Sequence, residues 1–195
     1  IDLMHQLDSF GIFPKHKLFF LPDPVINIRN FIKNKKNNND QIKIPSKKYF
    51  ISAGRLTKQK NFDYLINEFS SFVKNNDQFD LLIFGEGENK NYLKNLINKK
   101  NLNDKIFLMG FSSHIYYYMK KAEAFILSSL WEDPGFVLIE SALNNLVVIS
   151  SNCKNGPSEF LQNGKAGYLF ENNQIGALKE NLENFILNNK DIKEK

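Results

Sequence analysis

The sequence predicts an α/β fold, a parallel sheet with helices on both faces. Three observations carry this. From residue 49 onward, short apolar runs of strand length alternate with stretches of helical periodicity. The strand runs are predominantly apolar, as expected when both faces of a strand are covered. The first three end in glycine, at Gly54, Gly85 and Gly110, where a strand hands over to a loop. No solenoid period is present.

The elements follow in order. Ile1 to Gly11 reads as the end of a helix, and Lys17 to Leu21 as a short strand closed by Pro22-Asp23-Pro24. Residues 33 to 47 are polar and low in complexity, the composition of a mobile surface loop. Tyr49 to Ala53 is a strand. Phe62 to Val73 is a helix, with Phe62, Leu65, Ile66, Phe69 and Val73 on one stripe. Phe79 to Phe84 is a strand ending in Gly85-Glu86-Gly87. Asn89 to Lys100 is a helix with Tyr92, Leu93, Leu96 and Ile97 inward. Ile106 to Met109 is a strand, Ile115 to Lys121 a short helix, Ala124 to Leu127 a strand and Phe136 to Leu143 a helix. Val147 to Ser150, Gly156 to Leu161, Gly167 to Phe170 and Ile175 to Leu187 close the pattern as strand, helix, strand and helix. The aromatic residues are expected in the core, except Phe111 and Phe136 on loops at the carboxyl ends of strands.

The chain has 195 residues, 42% of them hydrophobic, with a net charge of +5. That suffices for one sizeable core and not for two large domains. The chain opens mid-pattern without an initiator Met, so a fragment of a longer protein is expected, with residues 1–16 as the end of a preceding domain or linker and 17–195 as the domain proper. Arg29 and Arg55 are the only arginines, and the lysines are spread through helical stretches, which reads as solvated surface and not as a nucleic-acid face. Cys153 is the only cysteine. It excludes an intramolecular disulfide and a cysteine-built zinc site and suits a reducing compartment. No apolar run approaches the roughly 20 residues of a membrane span.

The most informative segment runs from Trp131 to Glu140. It joins a strand to a helix and places Glu132 in the loop, with Glu140 about two turns down the helix. Loops at the carboxyl ends of strands are where α/β sheets bind ligands, and a helix start adds an anion site. Carboxylates beside an anion site suit a polyhydroxylated, phosphorylated ligand. The second segment, Ser52 to Asn61, carries Arg55 and Lys60 on one loop after Gly54. Arginine offers phosphate a planar fork and lysine a mobile point charge. Together they could clamp a diphosphate; the plainer alternative is a salt bridge for Arg55 and an ordinary helix-start lysine. Gly85-Glu86-Gly87 lacks the spacing of a dinucleotide fingerprint and alone reads as a tight turn. No P-loop and no nucleophile elbow occur. His5, His16 and His114 have no metal-ligand spacing.

Gly54-Arg55-Leu56 with Lys60, Phe84-Gly85-Glu86-Gly87, Ser128-Ser129-Leu130-Trp131-Glu132 through Glu140, and Asn155-Gly156-Pro157-Ser158-Glu159 together resemble the successive motifs of family 4 glycosyltransferases. The match runs in order from about Leu18 to the end. The resemblance implies the carboxyl-terminal, Rossmann-like, donor-binding half of a GT-B fold, and a retaining enzyme. It implies that Arg55 and Lys60 hold the donor diphosphate and that Glu132 contacts the donor sugar, these three forming the catalytic set. It further implies that Glu140 holds the ribose hydroxyls, that backbone near Gly135 and Phe136 touches sugar or phosphate, and that Gly85 and Gly110-Phe111 flank the base. Many members have Gly-Phe-Gly after the first glutamate, whereas Asp133-Pro134-Gly135 stands here. Pro134 removes one backbone donor.

The expected function is transfer of a sugar from a nucleotide diphosphate, a UDP-sugar first, to a glycan or lipid-linked acceptor in surface polysaccharide synthesis. No metal or other cofactor is expected, and no Asp-x-Asp motif is present. The expected partners are the donor, the acceptor and a missing amino-terminal domain, with a cytoplasmic location and the inner face of a membrane as an option for peripheral contact. Without its other domain the chain is expected to bind donor and not turn over. The rival readings are a sugar-nucleotide epimerase or phosphorylase of related architecture, a non-catalytic nucleotide-sugar-binding domain, and a flavodoxin-like module in which the two glutamates are incidental.

Overall fold

The structure of the chain, a computed structural model, is described for residues 9–11, 45–133 and 135–193. The chain divides into two compact units, Ile1–Lys36 and Asn37–Lys195. In the first, Ser9 runs into a turn at Phe10 and Gly11, where Gly11 takes a φ of 64°. The strand expected at 17–21, the turn at 22–24, the division at 16/17, most of the 33–47 loop and Pro134 lie outside the described residues.

The second unit contains six strands: β1 (Lys48–Ala53), β2 (Phe79–Phe84), β3 (Ile106–Gly110), β4 (Ala124–Leu127), β5 (Val147–Ser151) and β6 (Tyr168–Phe170). Between and after them come α1 (Phe62–Phe72), α2 (Lys90–Lys99), α3 (Ile115–Met119), α4 (Phe136–Leu143), α5 (Pro157–Phe160) and α6 (Ala177–Lys193). The strands form one sheet in the order β3-β2-β1-β4-β5-β6, every described pairing parallel. Chain order reverses between β1 and β4. In open α/β sheets ligands bind outside the carboxyl ends of the strands at such a switch point.

Alternate side chains of each strand feed two cores. On one face Phe50, Leu81, Ile83 and Ile126 meet α1 through Phe62, Leu65, Ile66 and Phe69, α2 through Leu93 and Ile97, and α6 through Leu178, Leu182 and Phe185. Phe50 is fully buried among Phe69, Phe72, Phe79 and Phe185, with ring centroids between 5.2 and 6.3 Å away. Burying each such ring is worth about 1.5–3 kcal/mol. On the other face Tyr49, Ile51, Leu82, Phe84 and Phe125 meet Tyr118 and Met119 of α3, Leu138 of α4 and Leu161 after α5. The expected parallel α/β sheet with both faces covered is therefore the observed one.

Two local expectations need correction. Tyr92 was expected inward but is 54% exposed. Helix α2 packs along Leu93 and Ile97, and Tyr92 lies one residue, about 100°, off that stripe. The last helix starts at Ala177, not at Ile175, which is 92% exposed. Gly176 precedes the helix with a φ of 86° and donates to Oε1 of the buried Glu68.

Candidate functional site

The site grows from the ends of β1 and β4. After β1 the chain passes through Gly54 into a single 3-10 turn, Lys58–Lys60, which sequence periodicity did not reveal. The turn brings Lys60 back over the strand end. Its aliphatic stem crosses Gly54 so closely that a Cβ there would stand 3.2 Å from three of its carbons. The ammonium then reaches Glu132 on the loop after β4, with Nζ 2.6 Å from Oε1. Glu132 is 3% exposed. A carboxylate this deep needs a partner to stay charged.

Serines fix both members of the pair. Ser129, fully buried, donates its hydroxyl to Oε1 of Glu132 at 2.5 Å. Ser128 donates to the backbone carbonyl of Lys60 at 2.8 Å, and Ser151 at the end of β5 donates to the carbonyl of Ser129 at 2.7 Å. Backbone bonds from Leu130 to Gln59 (2.8 Å) and from Glu132 to Lys154 (3.1 Å) tie the loops after β1, β4 and β5 together. Gly135 caps α4 with a φ of 80°, against the side chain of Glu132.

The glycines at the ends of β1 and β2 are in backbone contact. A Cβ on Gly85, whose φ is 137°, would lie 1.9 Å from the carbonyl oxygen of Gly54. The Gly85-Glu86-Gly87 segment is thus a contact between two site loops and more than the tight turn its sequence suggests. Beyond the strand ends, Leu56 donates to Glu86 and Gly85 to Gly110, each at 2.9 Å.

The remaining expected residues lie on the loops after β1, β3 and β4 and on α4. Arg55 is exposed, and among the described residues no acidic group pairs with it. Phe111 and Phe136 are 82% and 41% exposed, and Trp131 is exposed as well, contrary to its expected place in the core. Trp131 sits on the same loop as Glu132, so its position follows the loop and not its hydrophobicity. Glu140, on α4, accepts a hydrogen bond from the Tyr116 hydroxyl at 3.0 Å. Burial pushes the Glu140 carboxyl above the usual range, and the bond from Tyr116 opposes the shift. The Tyr116 hydroxyl is pushed up to about 12 by burial and by the adjacent Glu140 charge, so it remains a donor. Arg55, Phe111, Phe136 and Glu140 make no hydrogen bond to the Lys60–Glu132 pair. Ser129, Ser151 and Tyr116 were not singled out as site residues. Only the Ser-Ser step before Trp131-Glu132 carried a signal. A cavity of about 380 Å³ lined by Lys47, Asp80, Leu82, Phe107 and Met109 includes none of these residues.

Residues 34–195 match the family described as Glycosyl transferases group 1. The chain belongs to this family. Among group 1 glycosyl transferases it is 42% identical over 112 residues to an uncharacterized glycosyltransferase of Methanocaldococcus jannaschii, covering 57% of this chain and 28% of that one. It is 36% identical over 140 residues to an N-acetylgalactosamine-N,N'-diacetylbacillosaminyl-diphospho-undecaprenol 4-alpha-N-acetylgalactosaminyltransferase of Campylobacter jejuni, covering 70% of this chain and 38% of that one. The fold matches the pneumococcal O-GlcNAc transferase GtfA, solved with UDP and GlcNAc, at a TM-score of 0.60 and 25% identity over 71% of this chain and 27% of that one. The sheet is the Rossmann-like α/β fold of GT-B glycosyltransferases. The chain spans well under half the length of the curated relatives it matches.

The position of Glu140 gives a test. A carboxyl raised by burial favours folding most when protonated. Its contribution is present below the unfolded pKa and is lost as pH rises through the folded value. Glu140→Gln is therefore expected to melt above wild type at pH 7, with the gap closing toward acid pH, while binding nucleotide less well than Glu132→Gln does. Thermal melts across pH and a nucleotide titration check both halves. A variant less stable than wild type at neutral pH would show that the buried carboxylate itself, held by Tyr116, contributes to folding.

Proposed function

We propose that this chain is the carboxyl-terminal, donor-binding domain of a retaining family 4 glycosyltransferase. The enzyme would move a sugar from a UDP-sugar to a glycan or lipid-linked acceptor in surface polysaccharide synthesis, with an amino-terminal domain completing the acceptor side. The observation that carries the reading is the meeting of Lys60 and Glu132 across the switch point between β1 and β4. An ammonium and a carboxylate side by side suit the two halves of a sugar nucleotide: phosphate oxygens on one, sugar hydroxyls on the other. Relatives support the chemistry. The name of the Campylobacter enzyme specifies a diphospho-undecaprenol-linked glycan, and the GtfA structure holds UDP. That acceptor class supports a cytoplasmic location at the inner face of a membrane. No helix among the described residues is long and apolar enough to cross one.

In this reading the ammonium of Lys60 keeps one donor on Glu132 and turns others to the diphosphate, since an ammonium has three. Arg55, exposed at the same loop, adds a planar fork. The start of α4 at Gly135 adds unpaired backbone N–H groups. Negative charge grows on the leaving diphosphate as the anomeric bond breaks. Cations aimed at that oxygen stabilise the transition state more than the ground state. Glu140 meets the ribose hydroxyls, Gly85, Gly110 and Phe111 border the base, and no divalent metal is required.

UDP titrated calorimetrically into wild type and Arg55→Ala, both in excess EDTA, tests this. Wild type is expected to bind under chelation. The variant is expected to bind about 1.5–3 kcal/mol more weakly, the worth of a charge-assisted bond. Equal affinities would remove Arg55 from the site. Binding that appears only when magnesium is added back would mean that the carboxylates hold a metal.

A further inference from the structure

Glu132 uses its two oxygens unequally. Both the ammonium of Lys60 and the hydroxyl of Ser129 converge on Oε1. Among the described residues Oε2 has no hydrogen-bond partner. The two groups on Oε1 differ in how firmly they are held. Lys60 reaches it on a flexible four-carbon stem, and an arriving diphosphate would pull on the same ammonium. Ser129 cannot follow such a pull. It is fully buried, its side chain has a single rotor, and its backbone carbonyl is fastened by the hydroxyl of Ser151 at 2.7 Å.

We propose that Ser129 is a positioning residue for the reaction: its hydroxyl holds Oε1 of Glu132 in place while Lys60 engages the diphosphate, so that Oε2 meets a hydroxyl of the transferred sugar. This rests on the donor reading above and adds to it which group aims the carboxylate. The chemistry recognised is a neutral sugar hydroxyl that donates to a fixed carboxylate oxygen. Without Ser129 the carboxylate follows Lys60 toward the phosphates and loses its aim at the sugar.

The test compares UDP with the tightest of UDP-glucose, UDP-galactose and their N-acetyl forms, by calorimetry on the full chain. The readout is the ratio of the two affinities, which isolates what the sugar adds and which a general loss of structure does not move. Wild type is expected to favour the sugar nucleotide. Ser129→Ala is expected to lower the ratio roughly tenfold, the scale of one hydrogen bond to a charged group. In a Glu132→Gln background, Ser129→Ala is expected to lower it no further, because the serine acts through the carboxylate. Thermal melts establish that each variant is folded. If the alanine variant is not, Ser129→Cys, which keeps a weak donor on the same stem, carries the test with a smaller drop expected. A ratio that stays at the wild-type value, or one that falls equally in the Glu132→Gln background, overturns the proposal and leaves the donor reading intact. A wild-type chain that binds neither UDP nor any of the sugar nucleotides overturns both.

Discussion

Gly85→Ala is expected to lose about 4 kcal/mol of folding stability, the sum of a positive-φ alanine and a backbone clash, each worth about 1–3 kcal/mol. At roughly 2–4 °C per kcal/mol for a chain of this size, the melting temperature falls on the order of 10 °C. The cause is local. The new Cβ would lie 1.9 Å from the carbonyl oxygen of Gly54, a backbone atom, so no side-chain rotation can relieve the contact. The loops after β1 and β2 must part, and the bonds from Leu56 to Glu86 and from Asn89 to Leu56, each 2.9 Å, part with them. Gly164→Ala is the control. Gly164 also has a positive φ, 88°, but a Cβ there meets nothing within 4 Å. It is expected to cost about 1 kcal/mol, from backbone strain alone. Urea denaturation of both variants measures the difference. Equal losses would mean that strain accounts for the whole effect and that the two loops are not packed against one another. Because the displaced loop carries Arg55 and leads to Lys60, UDP binding is expected to weaken in Gly85→Ala and to persist in Gly164→Ala.

The second large effect belongs to Lys60. Lys60→Met keeps much of the stem that crosses Gly54 and deletes the charge. Glu132, 3% exposed, then retains only Ser129 on its charged oxygen. Breaking a buried pair from one side costs about 3–5 kcal/mol, and the lower end applies here because the Lys60 side chain is still 14% exposed. Glu132→Gln is milder, near 1 kcal/mol, because an amide oxygen can still accept from the ammonium. The double variant is expected to be more stable than Lys60→Met alone, since it removes the stranded charge. Urea midpoints for the two singles and the double decide it. Strictly additive losses would show that the pair is not coupled. On the donor reading proposed above, Lys60→Met in the full-length protein is expected to cut turnover about 10²- to 10³-fold, the usual loss when one group aimed at developing negative charge is removed.

Much of the fold was legible in the residues because β1 to β5 are short apolar runs and α1 carries an unbroken stripe from Phe62 to Phe69. These signals are local. Tyr92 was misplaced because a four-residue apolar cluster on α2 does not say how wide a stripe the neighbouring elements cover. The sheet order was not legible at all. That β1 lies beside β4 depends on how crossovers pack, and no local pattern records it. The site divides in the same way. Arg55, Lys60 and Glu132 stood out because charged residues near strand-end loops are conspicuous, and Glu140 because it follows Glu132 about two turns down the next helix. That Lys60 and Glu132 touch could not be read from positions so far apart in the chain. The serines that hold them were hidden for another reason: a hydroxyl beside a strand has many ordinary uses, and only the bond it makes distinguishes one use from another.

The meeting of Lys60 with Glu132 also bears on how such a protein can change over generations. The ammonium comes from the half of the sheet built by β1 to β3 and the carboxylate from the half built by β4 to β6. Loss of the ammonium strands a buried carboxylate, and loss of the carboxylate leaves the ammonium at best a neutral acceptor, so a change at either position alone is expected to cost stability. Recombination that exchanges one half for that of a cousin must bring a matching charge across the seam. The two positions are thus expected to change together, while exposed residues of the same strand-end loops, Phe111 and Trp131, can vary without disturbing what holds the halves together.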